Sequence, residues 1–442
     1  MIERDRDRAV VLVGNPAAPY SRGLRIARAL ASAGYAVEIA AVAAEGVPVA
    51  EVHGSIAIRR YAPSGAWAPM AATYRADVPR RRRGVAGMPL RVVRRLASTA
   101  RRWAFWPHTV RGWWATLDRD LAPAAVYHAC GSLTIAPALA ARDRDRAAGR
   151  RSVVIYDAID DVIGGNNLIG VPAPVRRLIA ARERGWALAA DTRTTVNDAL
   201  IAPLAGRWGT APPLVVPNWP ERGLGPDQPV PNLIREWLEL PASTRIVLFQ
   251  GRLGPNLGLD EAAEAVLQVP STVLCLIGFG RGYAASSERD THPRYAGRHF
   301  TLPAVHPDEL VAWTASADVA LIPLPPVSAN QRASTPNKFW EALAAGTPVV
   351  VGPGLTVMAD LLRSHELGFV GRSHRPEDLA AAISAVLDVA PEEALARRRR
   401  IAGIAACDFG WPSAAARYLA LVAAIALIDD DPPAPTTGTG RG

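Results

Sequence analysis

Twice along this chain, short runs of apolar residues alternate with helical patterns, and that repetition restricts the fold more than any other feature. The first pass opens with Val10-Val11-Leu12-Val13-Gly14, a strand ending on a glycine turn. A helix from Leu24 to Leu30 follows, stopped by Ala33-Gly34, and then a strand from Ala36 to Val42. Further strand-like runs lie at Ala125 to His128, Ser152 to Tyr156, Thr194 to Val196 and Leu214 to Val216. Helical patterns around 133–148, 174–190 and 198–208 separate them. Such alternation predicts parallel strands joined by right-handed helical crossovers.

After Pro217 to Pro231, rich in proline and glycine, the pattern restarts. Ile246 to Phe249 leads into Gly251-Arg252-Leu253-Gly254 and a helix from Leu259 to Gln268. Thr272 to Ile277 leads into Gly278-Phe279-Gly280, and strands follow near 299–302, 319–322, 348–351 and 368–370. With 442 residues the chain exceeds what one core serves. The expected fold class is α/β: two doubly wound, Rossmann-like parallel-sheet domains facing a central cleft, with ligands at the carboxyl ends of both sheets. The expected divisions are a first domain over 1–220, a linker over 221–243 and a second domain over 244–410. A terminal helix over 411–428 should pack back on the first domain, and a tail rich in proline, threonine and glycine over 429–442 should be disordered.

Charge and cysteine usage narrow the classes. The net charge of +9 belongs to one segment, since ten arginines and no acid lie between Arg80 and Arg111, leaving the remainder at −1. The basicity therefore does not by itself point to nucleic acid. No stretch approaches the roughly 18 uncharged apolar residues of a membrane span. The charged start, Met1 to Asp5, runs directly into a strand, so no signal peptide is expected. Cys130, Cys275 and Cys407 are odd in number, far apart and set in apolar context, which reads as reduced core thiols and a cytoplasmic protein.

Lys338 is the only lysine in a chain whose other basic side chains of this kind are all arginine. One retained lysine suits a site that needs a compact point charge, not a planar fork. It stands in Thr335-Pro336-Asn337-Lys338-Phe339-Trp340-Glu341, where Thr335 suits an N-cap and Pro336 the first helical position, with Gly346 as the stop. Free amides at such a helix start attract anions. Asn337, Lys338 and Glu341 share one side of it, a cation and a carboxylate suited to phosphate and a sugar hydroxyl. Gly251-Arg252 is the second signal. Glycine lets the backbone approach a ligand, and the arginine fork grips phosphate bidentately. Together they point to a diphosphate site made by Gly251, Arg252, Asn337 and Lys338.

Other motifs carry less. Gly278-Phe279-Gly280-Arg281-Gly282-Tyr283 misses the dinucleotide fingerprint because its third glycine comes one position early, so Gly278 and Gly280 read as a turn beside a nucleotide. Asp118-Arg119-Asp120 and Asp143-Arg144-Asp145 have metal-binding spacing but sit among arginines, where ion pairing explains them. No metal and no cofactor is expected. Arginine, lysine and helix dipoles then have to offset phosphate charge.

The second half resembles glycosyltransferases of the GT-B fold, and most closely family 4, the group 1 family. The likeness runs in order through Val247 to Leu253, Leu276 to Gly280, Ala317 to Pro323 and Asn337 to Val350. The first half is similar more loosely, through Arg25 to Tyr35 and Val126 to Ala129. The resemblance implies a glycosyltransferase whose nucleoside-diphosphate-sugar donor, a co-substrate and not a cofactor, is held mainly by the second domain and whose acceptor is held mainly by the first. It implies diphosphate contact at Arg252, ribose contact at Glu341, and metal-independent transfer with retention by front-face displacement. Three positions depart from the family pattern: Leu257 in place of a second cation, Ala333 in place of a second glutamate, and Ile159 in place of a histidine. Lys338 is expected to supply the cation missing at Leu257. A nucleotide-sugar epimerase and a non-catalytic nucleotide-sugar-binding paralogue stand as alternatives.

Opposite the donor, Gly14, Asn15, Arg22 and His128 are expected to line the first domain's wall of the cleft, and Asp157 and Asn15 are the candidates for catalysis. The arm from Arg80 to Trp114 combines arginine with Trp103, Phe105, Trp106, Trp113 and Trp114. That mixture suits peripheral contact with the inner face of a membrane and a lipid-linked or anionic acceptor better than nucleic acid.

Overall fold

The computed structural model describes residues 8–17, 20–64 and 111–428. The first sheet comprises β1 (Arg8–Val13), β2 (Ala36–Val42), β3 (Ala50–His53), β4 (Ile56–Tyr61), β5 (Val126–Cys130), β6 (Val153–Ala158), β7 (Thr192–Thr195) and β8 (Leu214–Val215). Their order is β3-β4-β2-β1-β5-β6-β7-β8, parallel throughout except for the β3–β4 hairpin. The second sheet comprises β9 (Arg245–Arg252), β10 (Thr272–Phe279), β11 (His299–Pro303), β12 (Val319–Ile322), β13 (Val349–Val351) and β14 (Gly368–Val370). It is wholly parallel, in the order β11-β10-β9-β12-β13-β14. Chain direction across each sheet reverses between β1 and β5 and between β9 and β12, the places where doubly wound sheets open a crevice.

Burial on both faces explains why the central strands read as unbroken apolar runs. Val247 and Phe249 of β9 enter one core cluster, while Leu248 and Ile246 enter another on the opposite face. Leaving the fold, Trp411–Ile428 returns to the first domain. Trp411, Ala414, Tyr418, Val422 and Ile425 recur at three- and four-residue intervals and bury in the core beneath β1 and β2. One stretch within Pro391–Ala426 reaches a mean hydropathy of 1.2, long and apolar enough to cross a membrane by composition alone. In the fold it is two helices, Pro391–Asp408 and Trp411–Ile428, and the second has its apolar stripe in this core.

Several sequence expectations need correction. The β3–β4 hairpin was not expected, because Ala50, Glu51 and Val52 are exposed and give no apolar run. β9 continues past Phe249, so Gly251 and Arg252 belong to the strand. Within 221–243, Leu233–Trp237 is a helix whose Ile234 is fully buried with Ile246 and Leu248, making it part of the second core. Cys130 and Cys275 are buried thiols, but Cys407 is exposed. Most of the basic arm, including Trp103, Phe105 and Trp106, and all of 429–442 lie outside the described residues. Trp113 is buried, and the Trp114 indole donates to the Leu133 carbonyl at 2.9 Å, so both turn inward.

Candidate functional site

At the second sheet's switch point, the next-to-last residue of β9 is Gly251, with φ of +109°, a conformation that favours glycine. The missing side chain leaves room for Lys338. A Cβ at Gly251 would stand 3.5 Å from Nζ, and Nζ lies 3.5 Å above the centroid of the Phe249 ring. No carboxylate among the described residues pairs with Lys338. Loss of hydration lowers it to about 7, Arg252 adds to that shift, and Glu341 opposes it. Arg252 itself stays exposed, its Cγ 3.1 Å from where a Gly280 Cβ would sit. Gly278 comes closer still: a Cβ there would meet the Gly251 carbonyl at 1.9 Å. These glycines let the β9 and β10 tips lie against each other beneath Arg252.

Lys338 belongs to the Asn337–Ala344 helix, whose N-cap is Pro336 with no side-chain cap. Thr335 does not cap it. Its hydroxyl instead accepts from Asn197 of the first domain at 3.2 Å. Asn337 was expected on the diphosphate, but its side chain bridges the domains, donating to Ser21 Oγ at 2.7 Å and accepting from Arg25 at 3.2 Å. Its backbone amide remains at the helix start. Glu341 is buried and accepts from Gln250 Nε2 at 2.7 Å, and Gln250 in turn accepts from Thr314 at 2.5 Å. Burial raises the Glu341 carboxyl, with Arg25 and Gln250 pulling the other way. Burial lowers Arg25 to about 10, and Arg25 reaches this site from the first domain, a contribution with no local signal in the sequence.

The first sheet's strand ends are different. Asp157 is fully buried and accepts two bonds from Arg22, at 2.6 and 2.7 Å, one from Thr194 at 2.8 Å, and faces His128 at 3.3 Å. The Tyr418 hydroxyl meets the other nitrogen of His128 at 3.0 Å, tying in the terminal helix. Against the upward push of burial, Arg22 and His128 hold the Asp157 carboxyl well below its usual range. Asp157 is therefore not presented to the cleft as a catalytic group, and His128, with no exposed surface, is not part of the cleft wall. Asn15 closes its own loop, accepting from the Ala17 amide at 2.8 Å. Gly14 sits against Leu133, 3.2 Å from a Cβ placed there.

Between the domains lies a cavity of about 240 Å³. Tyr20, Arg22, Ile159, Asp160 and Asn218 line it from the first domain, and Asn330 and Ser334 to Asn337 from the second. Asp160 is its carboxylate. Asn330 Nδ2 donates to Asp160 at 2.8 Å, while Asn330 Oδ1 accepts from the Asp161 amide at 2.8 Å. Asp160 is exposed at the cavity's edge; partial desolvation there raises its carboxyl, Asn330 opposes this, and Asp161 adds to it. Asp160 escaped the sequence reading, although it directly follows Ile159 at a strand end, where the family's histidine was sought. The other departures also find places. Leu257 packs between two core clusters, and the Ala333 carbonyl accepts from Asn197 at 2.8 Å.

At the rim, His53, His306 and Asp308 gather with ligand-like spacing. Arg28 already stands in the middle of them, 2.8 Å from His53 Nε2 and 3.1 Å from Asp308, and also pairs with Glu221.

Residues 244–388 match the family described as glycosyl transferases group 1. The D-inositol 3-phosphate glycosyltransferase of Xylanimonas cellulosilytica is 30% identical over 262 residues, 56% of this chain and 60% of that protein. The matched region thus spans about three-fifths of that relative. Among solved structures, sucrose-phosphate synthase from Thermosynechococcus elongatus superposes with a TM-score of 0.65 at 17% identity, over 96% of this chain and all of that one. An Anabaena protein in complex with UDP and glucose gives 0.59 at 13% identity, covering 95% and 100%. The chain has the GT-B fold, and its sequence resembles the group 1 glycosyltransferases through the second domain.

Proposed function

We propose that this protein transfers a sugar from a nucleoside-diphosphate-sugar donor, held by the second domain, to an acceptor in the cavity beside the first. One observation carries the reading. Arg252, Lys338 and the start of the Asn337–Ala344 helix converge beside Gly251, and no carboxylate among the described residues forms an ion pair with Lys338. A desolvated lysine near pKa 7 is costly to charge alone and favourable to charge beside a diphosphate. When the bond from the anomeric carbon to the donor oxygen breaks, negative charge grows on the leaving diphosphate, where those fixed positive groups meet it. The electrostatics then need no metal, and the site takes no cofactor. Glu341, oriented by Gln250, is placed to accept from a ribose hydroxyl. That an Anabaena protein of this fold is in complex with UDP and glucose supports a nucleotide ligand. Transfer with retention, by attack on the face the diphosphate leaves, is the course we assign.

Asp160, oriented by Asn330, faces the cavity and is the group we assign to position the acceptor hydroxyl. The buried thiols Cys130 and Cys275 suit work in the cytoplasm. Incubation with a panel of nucleotide sugars tests the reading directly. Acceptor-dependent release of nucleoside diphosphate is the expected result. Isomerisation of a donor without acceptor, or binding without turnover, would replace the reading with an epimerase or a binding protein.

A further inference from the structure

The connection from β6 to β7 carries a helix that lies against the Ile135–Ala147 and Ile201–Trp208 helices. Its helix, Ala173–Ala189, buries only Glu183 and Ala187, and every residue from Pro172 to Leu178 is exposed. Ile169 is 59% exposed and Leu178 69%, and Val175 stands three residues before Leu178 on the same side. Single exposed leucines are ordinary. Here the apolar side chains come with four arginines, at 176, 177, 182 and 184, all exposed. The helix's one acid, Glu183, is buried and accepts from Tyr156 at 3.0 Å, so the outer face carries positive charge alone.

We propose that this exposed face is a docking surface for an anionic lipid membrane, with Ile169 and Leu178 entering the headgroup boundary and Arg176 and Arg177 meeting lipid phosphates. Charge complementarity selects that occupant. The chain's own basic segment, with ten arginines and no acid from Arg80 to Arg111, is repelled by such a face, whereas an anionic bilayer attracts both. The same connection begins with Ile159 and Asp160 in the interdomain cavity, so docking sets the cavity close to the bilayer. That second step, delivery of a lipid-linked acceptor, rests on the transferase reading; the docking does not.

Flotation with phosphatidylcholine vesicles, with and without phosphatidylglycerol, at physiological salt is the test. The protein should float only with the anionic vesicles. The double variant Ile169→Glu/Leu178→Glu should bind them about tenfold more weakly, and Arg176→Gln and Arg177→Gln about fivefold each. Absence of binding by the parent, equal binding to neutral vesicles, or undiminished binding by the double variant would each overturn the surface. Melting temperature and UDP affinity should be unchanged in the variants. A parent that floats but binds no nucleotide would defeat the transferase reading and leave the docking surface standing.

Discussion

The two sheets end in opposite electrostatic states. At the first sheet, Arg22 and Asp157 are buried together and Arg22 also donates to the Val216 carbonyl at 2.9 Å and to Asn218 at 2.8 Å, so both charges are satisfied within the protein. At the second sheet, Lys338 rests on an aromatic ring, with Glu341 and Arg252 acting on it in opposite senses and no ion pair of its own among the described residues. A charge paired inside a fold holds structure, and one held in no direct ion pair is open to a ligand. Conserving the charge type while exchanging these roles is not possible, because the first site supplies a fork-and-carboxylate geometry and the second a single point charge.

The largest test breaks the first site. Asp157→Ala leaves Arg22 buried and unpaired, for which a loss of about 3–5 kcal/mol is expected. Thermal unfolding should show it as a large drop in melting temperature, while nucleotide affinity of the folded fraction holds. If Asp157 were instead a cleft group, activity would fall and stability would not. Next is Lys338→Met, with the reverse outcome: donor affinity lower by roughly 30- to 100-fold, as for a lost charged contact of about 2–3 kcal/mol, and a melting temperature equal or higher. Calorimetric titration with UDP and a thermal melt separate the two quantities.

Titration sharpens the contrast, because pH moves binding and stability in opposite directions. In the free protein Lys338 gives up its proton near pH 7, well below the usual lysine range. A bound diphosphate retains that proton, so above pH 7 binding must take one up, and affinity should fall by as much as about tenfold per pH unit. The unfolded chain keeps its lysine proton to about pH 10.4, so between these values it binds more protons than the native state, and this group makes stability rise with pH. Below pH 7 it adds no slope to either. Proton uptake measured in buffers of different ionisation enthalpy checks this, and Lys338→Met should remove it.

Much of this was legible in the sequence where one residue's environment is local. The central strands announced themselves because both their faces are buried, and the rarity of Lys338 at a helix start marked the second sheet's candidate phosphate site. What stayed hidden depends on distant partners. Nothing local says that Arg22 chelates Asp157, 135 positions away, or that Asn197 takes the hydroxyl Thr335 was expected to offer its own helix. Asn337 likewise reads as a ligand-binding residue until Ser21 and Arg25 are seen to occupy its amide. Asp160 is hidden for the same reason, since the Asn330 that orients it into the cavity lies 170 positions away.

Asp160 is also where the contrast between satisfied and waiting charges is finest. One of its oxygens accepts from Asn330, which bridges to the Asp161 amide, so the carboxylate is oriented but only partly satisfied. Asp160→Asn keeps the size and offers an acceptor oxygen, but it replaces a charge-assisted bond to the acceptor hydroxyl by a neutral one, a difference of about 1 kcal/mol. We therefore expect kcat/KM for the acceptor to fall about fivefold to tenfold, with donor affinity unchanged. The parent's kcat/KM should also decline on the acid side as the Asp160 carboxylate takes up its proton, and the variant should lack that limb. A structural role alone would lower stability and leave the shape of the pH profile intact, so the missing acid limb is the result that identifies Asp160 as a substrate-facing group.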